Sequence, residues 1–272
     1  CANAVLGGPA TREVLGGLQR RWSPTKSCAM RFLIVRIAAI GDVAMSTPLL
    51  SRIHAEYADA HVTWLCATSM QDMVALFPGV DETIAVDAQQ LLAGNFFGRV
   101  TAVARVWGAL AGRQFDRVLV LHPDPRYRIL TTFVSAPLSA ASHQAGPERN
   151  PVPGRFRGDE AARLLDERRT GAARHYAAAN LRDRLPGSVL GPATRPRVAL
   201  VPGGTRNVLR SDTRRRWPVA SYAMLARQLE SRGIEPVLVG DRTDEEMLPA
   251  FAGIRVTSLL GKTSLLGTLA VL

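Results

Sequence analysis

The sequence predicts an α/β protein made of two strand-and-helix series in tandem, and three observations predict it. Apolar, β-branched runs alternate with helical patterns from Arg31 onward, and the alternation starts afresh at Arg197. The leading strand of each series runs into a glycine turn, Gly41-Asp42 in the first and Pro202-Gly203-Gly204-Thr205 in the second. Between the series lies Pro186-Gly187 through Gly191-Pro192 to Pro196, a stretch that interrupts helix and interior strand alike. Alternation of this kind implies parallel sheets with helices packed on them.

Residues 1–29 begin without a Met and carry Gly-Gly twice, while Met30 stands directly before the first strand. They read as a non-native or disordered extension, with 30–190 as the first domain and 191–272 as the second. In the first domain the patterns predict strand 32–37, helix 43–57, strand 61–66, helix 69–77 and strand 82–86. Phe96 to Leu110 follows as a helix, with Val100, Val103, Ala104, Trp107 and Leu110 at the spacing of a core stripe. Strand 117–121 ends in His122-Pro123-Asp124-Pro125-Arg126, and a loop rich in Pro, Gly, Ser and Ala over 135–158 leads to helices 159–168 and 171–184.

The second domain opens on strand 197–201, the glycine turn and a basic loop. Helix 219–232, strand 236–239, a helix from Asp244 to Phe251, a short strand 254–257 and a final helix after Gly261-Lys262-Thr263-Ser264 complete it. Gly233 stands where a helix stop belongs.

With 272 residues, 47% of them apolar, the chain can fill a core in each domain. Its 34 Lys and Arg against 23 Asp and Glu give a net charge of +11, which suits an anionic partner: a phosphorylated small molecule, an acidic membrane surface or nucleic acid. Three widely spaced cysteines provide neither a disulfide framework nor a zinc site, so no structural metal is expected and a reducing, cytoplasmic setting is. No apolar run reaches the roughly eighteen residues of a membrane span, so any membrane contact is expected to be peripheral.

Ligands of open α/β sheets collect beyond the carboxyl ends of the strands. Asp42, with Gly41 before it, lies there in the first domain, near the amino end of a helix, where capping that helix is the competing reading. His122, Asp124 and Arg126 lie at a second strand end. In the other domain Gly203 and Gly204 allow a phosphate to approach the backbone, as residues with side chains would not.

Taken together, RIAAIGDV (36–43), VPGG (201–204), RRRWP (214–218), VLVG and DRTDEE (237–246) and LLGKTSLLGTLA (259–270) resemble, in order and spacing, the heptosyltransferases of glycosyltransferase family nine. The resemblance runs from about residue 30 to the end. It implies the GT-B fold, two Rossmann-like domains facing a cleft, with the acceptor held by the first and a nucleotide-sugar donor by the second. It also implies inverting transfer of a sugar from a donor such as ADP-heptose to the lipopolysaccharide core, with neither metal nor cofactor. Asp42 then resembles the base, and Gly41, His122, Asp124 and Arg126 border the acceptor. Gly203, Gly204, Thr205 and Arg215 fall to the diphosphate, Asp244 to the nucleoside hydroxyls and Lys262 to the nucleotide. A solvated basic face for Arg214 to Arg216, a helix first turn for Asp244 and an isolated surface lysine for Lys262 are the plainer alternatives.

The sequence departs from the family at Ala38, a frequent serine, and at Arg215, a frequent lysine. It also lacks an Asp-x-Gly-x-x-His segment that meets the donor phosphates. The expectation is therefore a carboxy-terminally truncated, inactive chain with an incomplete second sheet and an uncovered apolar Leu259 to Leu272. A basic two-domain nucleic-acid-binding protein is the rival from another class, disfavoured by the absence of a recognisable motif and by 6% aromatics. A nicotinamide-dependent oxidoreductase lacks its G-x-G-x-x-G fingerprint after both leading strands.

Overall fold

The computed structural model describes residues 29–122, 126–141, 158, 161–162, 164–165, 178–204 and 216–272. Its first sheet contains β1 (Arg31–Val35), β2 (His61–Ala67), β3 (Glu82–Val86), β4 (Arg117–Val120) and β5 (Leu138–Ala141) in the order β3-β2-β1-β4-β5. Every pairing is parallel. The strands explain why: β1 and β4 are unbroken apolar runs and β2 is interrupted only by Thr63, so each must be covered on both faces. Leu33, Val35, Leu65, Val118 and Val120 enter one core, while Phe32, Ile34, Trp64, Cys66 and Leu119 enter the other, as the two-residue period of a strand requires.

The crossover helices build the outer layers. α1 (Ile40–Ala44), α2 (Pro48–Glu56) and α3 (Gln71–Ala75) follow β1 and β2, and α4 (Ala88–Ala93) and α5 (Phe96–Leu110) follow β3. α6 (Arg126–Ile129) follows β4. Helix 43–57 is thus two helices, parted where Thr47 precedes Pro48: proline lacks the N–H that a continuous helix needs there. Helix 69–77 shortens to a 3₁₀ turn at Thr68–Met70 followed by α3.

α5 has the expected limits and a different buried face. Ala102, Val106 and Leu110 enter the core, Val100 is exposed, and only Leu110 of the expected stripe is fully buried. Asn95 fixes its start by accepting the Gly98 N–H at 2.9 Å.

A second, separate sheet of three parallel strands has the order β6 (Arg197–Leu200), β7 (Glu235–Leu238), β8 (Thr257–Ser258). α7 (Val219–Ser231) and a 3₁₀ helix, Arg242–Phe251, cover one face around Leu200, Leu238, Phe251 and Leu260. The segment expected to be α-helical from Asp244 is therefore 3₁₀. The closing helix α8 (Leu265–Leu269) turns back onto the first unit: Leu265, Leu266 and Leu269 pack against the core that contains Leu49, Ile53 and Met73. That corrects the expectation of an uncovered Leu259 to Leu272, since Leu259 and Leu260 are also buried and only Leu272 of the large apolar side chains there is strongly exposed. Burying apolar surface from both units favours this docking.

Most of the loop 135–158 and of the two helices expected over 159–184 lies outside the described residues, as do residues 1–28.

Candidate active site

Asp42 lies in the first turn of α1, past the carboxyl end of β1, and the helix is preceded by the loop Arg36 to Ala39, which contains a cis Ala38–Ala39 peptide. Gly41 belongs to that turn too, so the chain reverses before it and not at it. The capping residue is Ala39, with no side-chain cap bond, so Asp42 does not cap the helix. Its carboxylate instead pairs with the Arg36 guanidinium, Nη2 to Oδ2 at 2.6 Å, with Arg36 6% and Asp42 31% exposed at the side chain. Arg36 also donates through Nη1 to the Leu121 carbonyl at the end of β4, and its own carbonyl accepts the Trp64 Nε1–H at 3.2 Å.

Sequence reasoning missed Arg36. The signal was present: an arginine continuing an otherwise apolar strand run is buried only when it has partners to satisfy it. Around Asp42 the backbone is pinned further by Ser46, whose hydroxyl donates to the Asp42 carbonyl at 2.7 Å. Next to Gly41 there is open space: apart from its chain neighbours and the backbone of its own helix, no atom would come within 4 Å of a Cβ placed on it.

β4 lies beside β1, so His122 emerges at the same sheet edge as Asp42. Its ring stacks on Tyr127, centroids 4.1 Å apart and planes at 18°, which fixes it against α6. Arg126 opens α6. Asp124 lies outside the described residues.

The second sheet gathers its candidates in the same way. Gly203-Gly204 follows β6, Gly240 precedes the 3₁₀ helix after β7, and Gly261-Lys262 comes soon after β8. Asp244 binds the first two together. It is 4% exposed, and its carboxylate accepts the Asp241 N–H at 3.1 Å and, at the weak limit of 3.4 Å, the Gly204 N–H, within a capping box with Asp241. A Cβ on Gly203 would lie 1.9 Å from Asp244 Oδ1, and one on Gly240 would lie 2.6 Å from Oδ2. Both glycines therefore make room for a carboxylate of this chain. Gly204 has a φ of +82°, a conformation that glycine adopts without strain.

Arg216 closes the turn from the other side, its Nε donating to the Gly204 carbonyl at 2.9 Å and its Nη1 lying 3.8 Å from Glu246. Lys262 is exposed and donates to the Ser258 carbonyl at 3.0 Å. Thr205 and Arg215 lie outside the described residues. Among the described residues, no group of three or more His, Cys, Asp or Glu could hold a metal ion, and no helix is long and apolar enough to cross a membrane.

No protein of curated function matches the chain in sequence. The model of glycosyltransferase family 9 (heptosyltransferase) matches residues 159–272. Among solved structures, the chain is similar to a family 9 glycosyl transferase from Veillonella parvula, with 18% identity, a TM-score of 0.67 and coverage of 88% of this chain and 71% of that one. It is similar too to E. coli heptosyltransferase WaaC bound to ADP, with 18% identity, a TM-score of 0.68 and coverage of 89% and 78%. E. coli ADP-heptose lipopolysaccharide heptosyltransferase II matches at 18% identity and a TM-score of 0.57, over 89% and 76%. The two parallel sheets and these likenesses establish a GT-B type α/β fold. Residues 159–272 are thus similar to glycosyltransferase family 9 (heptosyltransferase), and the chain has the fold of that family's solved structures.

Proposed function

We propose that this protein is an inverting glycosyltransferase that moves a sugar, heptose in the favoured reading, from a nucleotide diphosphate donor such as ADP-heptose to the lipopolysaccharide core or a related anionic glycan. The observation that carries the reading is the Asp42 carboxylate, held by buried Arg36 at the carboxyl edge of the first sheet and still partly open to solvent. An acceptor hydroxyl oxygen attacks the anomeric carbon, the bond from that carbon to the diphosphate oxygen breaks, and the hydroxyl proton passes to Asp42. His122, Asp124, Arg126 and the open backbone at Gly41 border the acceptor.

The departing diphosphate takes up negative charge, and cationic and N–H groups fixed in advance stabilise it best. That task falls to the Gly203-Gly204 turn, Thr205, Arg215 and Lys262. Arg215 suits it because a guanidinium forks onto two phosphate oxygens. Asp244, expected to hold the nucleoside hydroxyls, acts on the donor in this reading by holding the turn, since its carboxylate is buried on backbone N–H groups. The protein works in the cytoplasm, in peripheral contact with the acidic inner face of the bacterial inner membrane.

The test, in the full-length protein, is release of ADP from ADP-heptose with a heptose-deficient lipopolysaccharide acceptor, comparing the parent with Asp42→Asn. The variant is expected to lose at least about a hundredfold in kcat, the scale of a general base, while its affinity for ADP stays that of the parent. Near-parental turnover by the variant would remove Asp42 from the chemistry.

A further inference from the structure

We infer that the outward face of α5, together with the turn after α6, is the surface by which this protein docks on an anionic lipid bilayer. The inference builds on the membrane contact in the proposed function and is independent of the transfer chemistry. α5 is apolar on two sides. Its Ala102, Val106 and Leu110 face the core, while Phe96, Phe97, Val100 and Ala104 are exposed and Trp107 is half-buried. At 100° per residue those five form one stripe.

The stripe extends sideways. Phe133 packs edge-on against Trp107 with centroids 4.7 Å apart, and Trp107 Nε1 donates to the Ile129 carbonyl at 2.8 Å, which adds exposed Ile129 to the same patch. Phe96, Phe97 and Phe133 are 74%, 77% and 75% exposed. Isolated exposed apolar residues are common, but a connected patch with several aromatic rings is a surface awaiting a partner.

Charge selects the partner. No Asp or Glu occurs between Asp87 and Asp116, or from Arg126 to Ala141. Arg99 and Arg105 flank the stripe on either side of the helix, and Arg128 lies exposed on α6. Aromatic rings that enter the boundary between headgroups and acyl chains, rimmed by arginines that reach the phosphates, fit an acidic bilayer better than they fit a neutral bilayer or a protein groove. α5 runs back from the carboxyl edge of the sheet, so Phe96 and Phe97 lie toward the edge that carries Asp42 and His122. Docking there brings an amphiphilic acceptor's headgroup within reach of the candidate site.

The experiment is co-sedimentation of the full chain with vesicles of phosphatidylglycerol and phosphatidylethanolamine, and with vesicles of phosphatidylcholine alone. The parent is expected to bind the first and not the second, more weakly as salt rises. Phe96→Ser/Phe97→Ser should weaken binding by about tenfold per phenylalanine, and Arg99→Gln/Arg105→Gln/Arg128→Gln by about fivefold per arginine. All five side chains are exposed, so melting temperature and ADP binding should match the parent's, and Phe133→Ser provides an independent third variant. Equal binding to both vesicle types, or parental binding by these variants, overturns the inference. So does a lipid-free dimer that Phe96→Ser/Phe97→Ser dissolves, which would make the face a contact between two copies. Oligonucleotide binding that needs the arginines and not the phenylalanines, without vesicle binding, would assign it to nucleic acid.

Discussion

Arg36 holds Asp42 at 2.6 Å and, through the same guanidinium, the carbonyl of Leu121, a residue 85 positions further along the chain. One side chain thereby fixes the loop after β1 to the end of β4, the two segments that carry the acceptor-side candidates. Its burial makes the arrangement rigid, because a guanidinium deprived of water keeps the partners it has.

Removing that guanidinium should misplace Asp42, the proposed base, without removing it. Arg36→Met is expected to lower kcat by about a hundredfold, the scale of a misplacement near 1 Å, while the KM for the donor stays near the parent's. Arg36→Lys should recover part of the loss. Steady-state kinetics beside thermal melts decide the matter: a fall in melting temperature with parental kcat would make Arg36 a purely structural residue.

The clasp around Asp244 predicts a specific non-additivity. Gly203→Ala places a methyl group 1.9 Å from Asp244 Oδ1, so the turn must shift, at a cost of about 1–3 kcal/mol. Asp244→Ala loses the capping box and leaves the N–H groups of Asp241 and Gly204 without their acceptor. In the double variant the methyl group has space, and its destabilisation should fall short of the sum of the two. Strictly additive denaturation midpoints would contradict the clasp.

Cys66 lies on β2 among Trp64, Phe77 and Ile53, and burial pushes its thiol up to about 12. Since the thiolate is the nucleophile, Cys66 should resist iodoacetamide at pH 8 in the folded protein and react promptly in guanidinium chloride. Peptide mapping by mass spectrometry reads the difference. Rapid labelling of Cys66 under native conditions would show that β2 is not in a closed core.

Acid should loosen the second sheet at its amino-terminal edge. Glu235 accepts from the Thr257 hydroxyl at 2.5 Å and from Arg197 Nε at 3.0 Å, which ties β7 to β8 and to β6, and those bonds hold its carboxyl below the ordinary 4.5. A carboxyl depressed by folding adds stability above its unfolded value, and that stability is lost as pH falls from 4.5 through the lower, folded value. Melting temperatures below pH 4.5 should therefore fall more steeply for the parent than for Glu235→Gln. Glu82, held below the same ordinary value first of all by its hydrogen bond from Arg113, shifts in the same direction in the first sheet. Parallel pH profiles for parent and variant would refute the Glu235 contribution.

The sequence by itself determined the parallel sheets, because FLIV and VLVL, the runs of β1 and β4, have no polar face to give to water and must be covered on both sides. It also determined that Asp42, His122, Gly203 and Gly240 lie at or near strand ends, since strand limits follow from local pattern. Only the tertiary structure decided which face of α5 is buried. That helix is apolar nearly all round, and its periodicity fits Val100-Val103-Trp107 as well as Ala102-Val106-Leu110; packing on the sheet chose the second set. The Arg36 partnership with Leu121 and the fit of Gly203 and Gly240 around Asp244 were likewise illegible in one dimension. Each joins residues far apart in the chain, and their meeting depends on which strands become neighbours and in what register, a choice made by the free energy of the whole core and not by any local stretch.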